Sequence, residues 1–118
     1  MSEVDAFSIF VARALTPNRA SRYSTLTGSA KGRKRLLGML YHDFEKSMRQ
    51  NVKRGNVNRA LPCYAYHSSL GFGKEFPSVV NAYKQLCDTD SWLIVVSDGS
   101  AGIYRPEDHW DAEVEIVS

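Results

Sequence analysis

Residues 30–52 carry the strongest secondary-structure signal of this chain, a helical repeat with two opposite faces. On a helical wheel of about 100° per residue, one arc is apolar and holds Leu36, Leu37, Leu40, Tyr41, Phe44 and Met48. The opposite arc is basic and holds Lys31, Arg35, His42, Lys46, Arg49 and Lys53. Ser29 is a suitable N-cap for such a helix. The pattern predicts one long amphipathic helix that buries its apolar side and exposes a positive stripe.

Shorter elements flank this segment. Ser2 and the pair Thr16-Pro17 are start signals for two preceding helices, over 3–15 and from Pro17 to about Gly28. After a loop at 55–58, the aromatic stretch 62–68 predicts a strand and residues 77–87 predict an amphipathic helix. The continuous apolar run 92–96 is typical of a buried strand. Residues 101–104 then return as a hairpin partner, and the alternating segment 112–117 indicates an outer strand.

This order of elements predicts an α+β fold. A helical N-terminal half of three helices is expected to pack on a small mixed sheet of three to four strands, with one further helix. The strand–helix–strand unit over 62–96 is expected to be parallel and right-handed, and the other strands antiparallel. At 118 residues the chain is expected to form a single domain over 1–118. Its subregions are a helical one (1–55) and a mixed one (60–118); the alternative is that these two are separate units meeting near Gly55.

Charge is divided unevenly along the chain. Residues 1–60 contain twelve Lys and Arg and four acids, a net charge of +8, whereas residues 61–118 contain three basic residues and nine acids, a net charge of −6. The two halves add up to the overall +2. Such a division favours a surface that meets a charged partner.

The basic stripe leads to two functional hypotheses. The first is a small non-enzymatic interaction protein, such as an inhibitor, an immunity-type protein or an adaptor, whose helix face binds an acidic protein partner. The second is a nucleic-acid-binding domain in which the helix over 30–53 follows a line of phosphates. Acids of the other half could instead neutralise the stripe, either within the molecule or across a homodimer. No apolar run is long enough for a membrane span, so no membrane partner is expected.

A third hypothesis is a small enzyme with a site near His67 and Asp98, because strand ends often carry ligands. Lys74 follows the glycines of the 68–74 loop, but Glu75 stands where a phosphate-binding loop would place Ser or Thr for magnesium. Arg105 is expected to pair with Glu107, Asp108 or another acid.

No cofactor or metal is expected, since the segment around His109 has no recognised ligand spacing. Cys63 and Cys87 are expected to be reduced thiols, and the acidic N-terminus does not resemble a signal peptide. The protein is therefore expected to be cytoplasmic.

Overall fold

The structure, a computed structural model, describes residues 1–106 and 113–117. In this part of the chain it has five helices and five strands. The helices are α1 (Glu3–Ala14), α2 (Pro17–Leu26), α3 (Ala30–His42), α4 (Phe44–Ser47) and α5 (Val79–Leu86). The strands are β1 (Cys63–His67), β2 (Gly71–Phe76), β3 (Trp92–Val96), β4 (Gly102–Arg105) and β5 (Val114–Ile116). The α+β class and the helical N-terminal half are confirmed.

The sheet differs from the prediction in size and direction. It has five strands in the order β2-β1-β3-β4-β5, and each neighbouring pair is antiparallel. The additional strand is β2, where we predicted a glycine-containing loop. Its pairing with β1 shifts register between Ala65 and Tyr66, and Gly73 adopts φ +84° there. A Cβ at Gly73 would lie 2.3 Å from the Glu3 Cβ, so the glycine lets α1 approach this strand.

Strand β2 also explains why the predicted parallel unit is wrong. The chain reverses after β1 to form β2, and α5 then leads from β2 to β3. Because both β2 and β3 are antiparallel to β1, they run in the same direction with β1 inserted between them. The crossover therefore joins two strands that are not neighbours, and a mixed sheet does not result.

Helices cover both faces of the sheet. Tyr64, Tyr66, Leu93, Val95 and Tyr104 pack in one core with α1 to α4, and the alternate residues of the same strands pack in a second core with α5. All of Trp92–Val96 is therefore buried, as the apolar run predicts. Helix α1 lies so close to β4 that a Cβ at Gly102 would be 2.7 Å from the Phe10 ring.

Tyrosine hydroxyls connect the sheet to the helical layer. Tyr66 donates to the Glu3 carbonyl at 2.6 Å, Tyr64 to the Met1 carbonyl at 2.7 Å, and Tyr104 to the Leu40 carbonyl at 2.7 Å. The last of these bonds bears on where α3 ends. In an uninterrupted helix the Leu40 carbonyl would accept from the Phe44 amide, and here the Tyr104 hydroxyl bonds to it.

The predicted helix over 30–53 is interrupted at Asp43, and its last part is wrong. Asp43 Oδ2 accepts hydrogen bonds from Tyr23 and Ser47, both at 3.0 Å, and pairs with Arg19. These contacts hold the turn between α3 and α4. After α4 the chain leaves the helix: Met48 bridges to Leu15, residues 50–51 form a turn, and residues 53–55 pair with β5. Arg49 and Lys53 therefore do not lie on a helix.

Candidate binding face on helix α3

The outer side of α3 is a row of basic and aromatic side chains. Its members recur at helical spacing within an arc of roughly 120°, and each is exposed; they are Lys31, Lys34, Arg35, Tyr41 and His42. We call these five residues the α3 face. Tyr41 was predicted to face the core, but 44% of it is exposed. Gly38 lies in the middle of the arc, and a side chain there would meet only open space.

The Lys and Arg side chains of the α3 face have no carboxylate partner in the described residues. Ion pairs in this part of the chain use other arginines, joining Arg19 to Asp43, Arg59 to Glu115, and Arg105 to Asp90 and Glu113. Of the acids in residues 61–118, Asp90, Glu113 and Glu115 thus pair with arginines that are not on α3. Within residues 1–106 and 113–117, the positive charge on α3 is therefore not neutralised by an ion pair.

An open groove of about 610 Å³ runs beside the C-terminal half of α3. Leu37 and Met39 contribute apolar side chains to it, and its opposite wall comes from the end of β1 and the turn before β3. The groove brings together three residues that the sequence analysis singled out, namely Arg35, His42 and His67. It therefore combines apolar and basic groups with the carboxylates of Asp43 and Asp90 in one concave surface next to the α3 face.

His67 is held in one orientation at the wall of this groove. Its Nδ1 accepts a hydrogen bond from the Ser69 amide at 3.1 Å and lies 2.7 Å from the Ser69 hydroxyl. Burial lowers the pKa of His67, and a hydrogen bond with the Asp90 backbone opposes that shift only in part. Since Nδ1 acts as an acceptor, the neutral ring carries its proton on Nε2. His67 consequently adds no positive charge near neutral pH.

Ser91 is a groove residue that the sequence analysis missed. It has φ +57°, rare for a residue with a side chain, and is only 5% exposed. Its buried hydroxyl has no hydrogen-bond partner within 1–106 and 113–117. Only the short polar run at 88–91 marks this position in the sequence.

The remaining residues of the predicted stripe lie elsewhere. Lys46 is exposed on α4, beyond the interruption at Asp43. Arg49 and Lys53 border a separate depression together with Arg13. The structure thus assigns Lys31, Arg35 and His42 to one surface and divides the other three between two further places.

The secondary candidates do not form a common site. Lys74 is exposed on β2, with Nζ 5.4 Å from the centre of the Phe76 ring. Asp98 lies in the turn after β3, and its pKa is lowered by hydrogen bonding with Ser100, whose amide donates to it at 2.9 Å. Because β1 and β3 are antiparallel, His67 and Asp98 are at opposite ends of the sheet. The groove that His67 lines does not include Asp98.

Arg105 pairs with acids, as expected, and the partners seen are Glu113 at 2.9 Å and Asp90 at 3.7 Å. The other named partners, Glu107 and Asp108, lie outside the described residues, as does His109. The Arg105 side chain is 19% exposed, so these ion pairs are partly buried.

No group of three or more His, Cys, Asp or Glu within the described ranges is arranged to hold a metal ion. None of the helices described has the length and apolar character that a membrane span requires. Comparisons of the chain with protein-family models, with curated proteins and with solved structures found no match.

Proposed function

We propose that this protein is a small non-enzymatic binding protein that recognises an acidic segment of a protein partner through the α3 face. The observation that supports the proposal is the exposed row of Lys31, Lys34 and Arg35, which lacks carboxylate partners in the described residues and adjoins a groove. An inhibitor, an immunity-type protein or an adaptor would each use such a face to cover or recruit its target.

Positive charge alone would attract acidic partners to the α3 face without selecting one of them. Exposed ion pairs contribute only about 0–1 kcal/mol each and mainly accelerate association. Selectivity requires contacts that exclude water, and aromatic, Met and Arg side chains usually supply them at interfaces. All three residue types line the groove, as Tyr41, Met39 and Arg35. The partner segment is therefore expected to carry apolar side chains between its acids.

Nucleic-acid binding is the competing function for the same face. Helix α3 has 13 residues, so at about 1.5 Å per residue its basic row extends for less than ~20 Å. The chain then turns at Asp43, and Arg49 and Lys53 do not continue the row. Few phosphates can be contacted along such a length, and affinity for nucleic acid grows with the number of phosphates neutralised. The geometry favours the protein partner.

Matched charge reversals test the proposal. Lys34→Glu with Arg35→Glu changes the α3 face, and Arg22→Glu with Lys84→Glu makes the same change of net charge at exposed positions on α2 and α5. The probe is a fluorescent peptide of alternating Glu and Leu, followed by anisotropy. We expect the α3 variant to bind at least about tenfold more weakly, a loss of ~1.4 kcal/mol, and the control variant to bind like the wild type. Equal losses in both variants would refute recognition by α3.

A single-stranded oligonucleotide, used as a second probe, distinguishes the competing function. Tighter binding of the oligonucleotide than of the peptide, lost in the α3 variant, would assign the face to nucleic acid. Analytical ultracentrifugation at low salt tests whether a second copy of the chain binds the α3 face. Self-association that disappears in the α3 variant would identify the homodimer as the complex.

A further inference from the structure

We propose that the depression between the end of α1, the segment after α4 and strand β5 binds a phosphoryl group. The depression has a volume of about 360 Å³ and is bordered by Arg13, Arg49 and Lys53, with Val52 and Ile116 as apolar lining. None of its lining residues belongs to α3, so this site is independent of the proposed protein-binding face.

Backbone pairing brings the three cations together. Arg13 lies in the last turn of α1, whereas Arg49 and Lys53 belong to the non-helical segment that follows α4, on either side of a turn at 50–51. That segment is held at one end by the Arg49 amide, which donates to the Ala14 carbonyl at 2.8 Å. At the other end the Val117 amide donates to the Lys53 carbonyl at 3.0 Å. The positions of the cations therefore follow from main-chain hydrogen bonds.

Arg49 is the best-fixed cation of the three and still has unused donors. Its Nη2 donates to the Ala12 carbonyl at 3.2 Å, which is its only side-chain hydrogen bond to a described residue. Its Nε is buried without a partner in that same part of the chain. A guanidinium carries five N–H donors, and an unpaired buried donor calls for an explanation such as an ion that binds there.

The charges around the depression favour an anion. No carboxylate is among its lining residues. Asp98 interacts electrostatically with Arg13. Its pKa is lowered mainly by hydrogen bonding with Ser100 and to a lesser extent by Arg13. Arg49 and Lys53 are not paired with any described acid. A phosphoryl group offers two or more free oxygens in tetrahedral arrangement, which can reach a guanidinium fork and an ammonium group together better than a planar carboxylate can.

Titration of the full-length protein with inorganic phosphate tests the site, monitored by ¹H–¹⁵N NMR. Sodium chloride at matched ionic strength is the reference. We expect saturable shifts at Arg13, Asn51 and Lys53 with phosphate and not with chloride. In Lys53→Gln, which removes an exposed side chain, the affinity for phosphate should fall at least about threefold. Lys46→Gln, an exposed charge on α4, should leave it unchanged.

Two further variants separate this site from other effects. Arg49→Lys keeps the positive charge but removes the forked guanidinium group. It is expected to weaken phosphate binding while the amide spectrum remains that of a folded protein. The double variant Lys34→Glu/Arg35→Glu should bind phosphate like the wild type, so failure at α3 and failure here remain distinguishable. Identical shifts with phosphate and chloride, or equal losses in Lys46→Gln and Lys53→Gln, would overturn the proposal.

A thymidine oligonucleotide determines where the phosphoryl group comes from. Oligonucleotide binding that is tighter than phosphate binding and weakened by Lys53→Gln would indicate a nucleic-acid backbone. Binding of inorganic phosphate alone would indicate a free phosphate or a small phosphate ester. Both results support a phosphoryl site, whereas binding of neither contradicts it.

Discussion

Asp43 is the residue on which the shape of the candidate face most depends. Its carboxylate pairs with Arg19 and accepts hydrogen bonds from Tyr23 and Ser47, linking α2, α3 and α4. Burial acts to raise its pKa, but the hydrogen bonds from Arg19, Ser47 and Tyr23 prevail and hold the pKa below its usual value. The ionised form is therefore the one that stabilises the turn at the end of α3.

Replacing this carboxylate should destabilise the protein in a pH-dependent way. Asp43→Asn is expected to lower the free energy of unfolding by about 1–3 kcal/mol near neutral pH. Because the native pKa is depressed, the stabilisation is complete above the unfolded pKa of about 3.9 and is lost as pH falls through the native pKa. Urea denaturation should show the two proteins converging below that pH. Asp98→Asn, in an exposed turn, is the control and should change stability by less than about 1 kcal/mol.

The two cysteines should differ in reactivity because their surroundings differ. Cys63 is fully buried in β1, and burial raises the pKa of its thiol to about 12. Since the thiolate is the reactive form, Cys63 should resist a thiol reagent in the folded protein, whereas the partly exposed Cys87 should react. Mass spectrometry of the labelled protein measures this. Labelling of Cys63 without denaturant would contradict the core described above.

At the scale of the element, the end of α3 depends on a hydroxyl from β4. Tyr104→Phe leaves the Leu40 carbonyl without the bond it accepts at 2.7 Å in a buried environment. We expect a loss of about 1–3 kcal/mol in the free energy of unfolding, the cost of an unsatisfied buried acceptor. Tyr64→Phe makes the same chemical change at the exposed Met1 carbonyl and should cost less than about 1 kcal/mol. Equal costs in thermal or urea unfolding would show that the Leu40 bond has no special role.

Elements with local signals could be predicted from the sequence, and those set by distant contacts could not. The Ser2 capping box, Pro17 in the first turn of α2 and the Ser29 cap all start the predicted helices. The interruption at Asp43 depends on Tyr23 and Tyr104, which are distant in sequence. Strand β2 was missed because Gly71 and Gly73 suggest a loop, although both serve a strand that bends past α1.

The same distinction applies to the candidate site. Lys31, Arg35 and His42 share a face because of helical periodicity alone, which a wheel predicts. Arg49 and Lys53 were assigned to that wheel by extending the helix past Asp43, where only tertiary contacts reveal the turn. Ser91 carries no periodic signal, since its buried position and φ depend on how the chain enters β3.

At the scale of the whole molecule, a single domain requires that helices and sheet unfold as one unit. Trp110→Phe leaves Trp92, which packs against Tyr83 on the α5 side of the sheet, as the only tryptophan. Far-ultraviolet circular dichroism reports mainly on helices, most of which lie on the other side. A single domain over 1–118 predicts coincident denaturation midpoints for the two signals. Separate midpoints would favour two subregions that meet near Gly55.

Both edge strands of the sheet, β5 and β2, are protected against pairing with further strands. On one side residues 53–55 pair with β5, through the Gly55 amide and the Arg54 bridge to Ile116. On the other side β2 carries exposed Lys74 and Glu75 and an irregular register, features that discourage edge-to-edge pairing between proteins. A foreign strand thus finds no flat, uncharged template. Concentrated solutions of the folded protein should stay free of fibrils, and fibril growth should first require the edges to come apart.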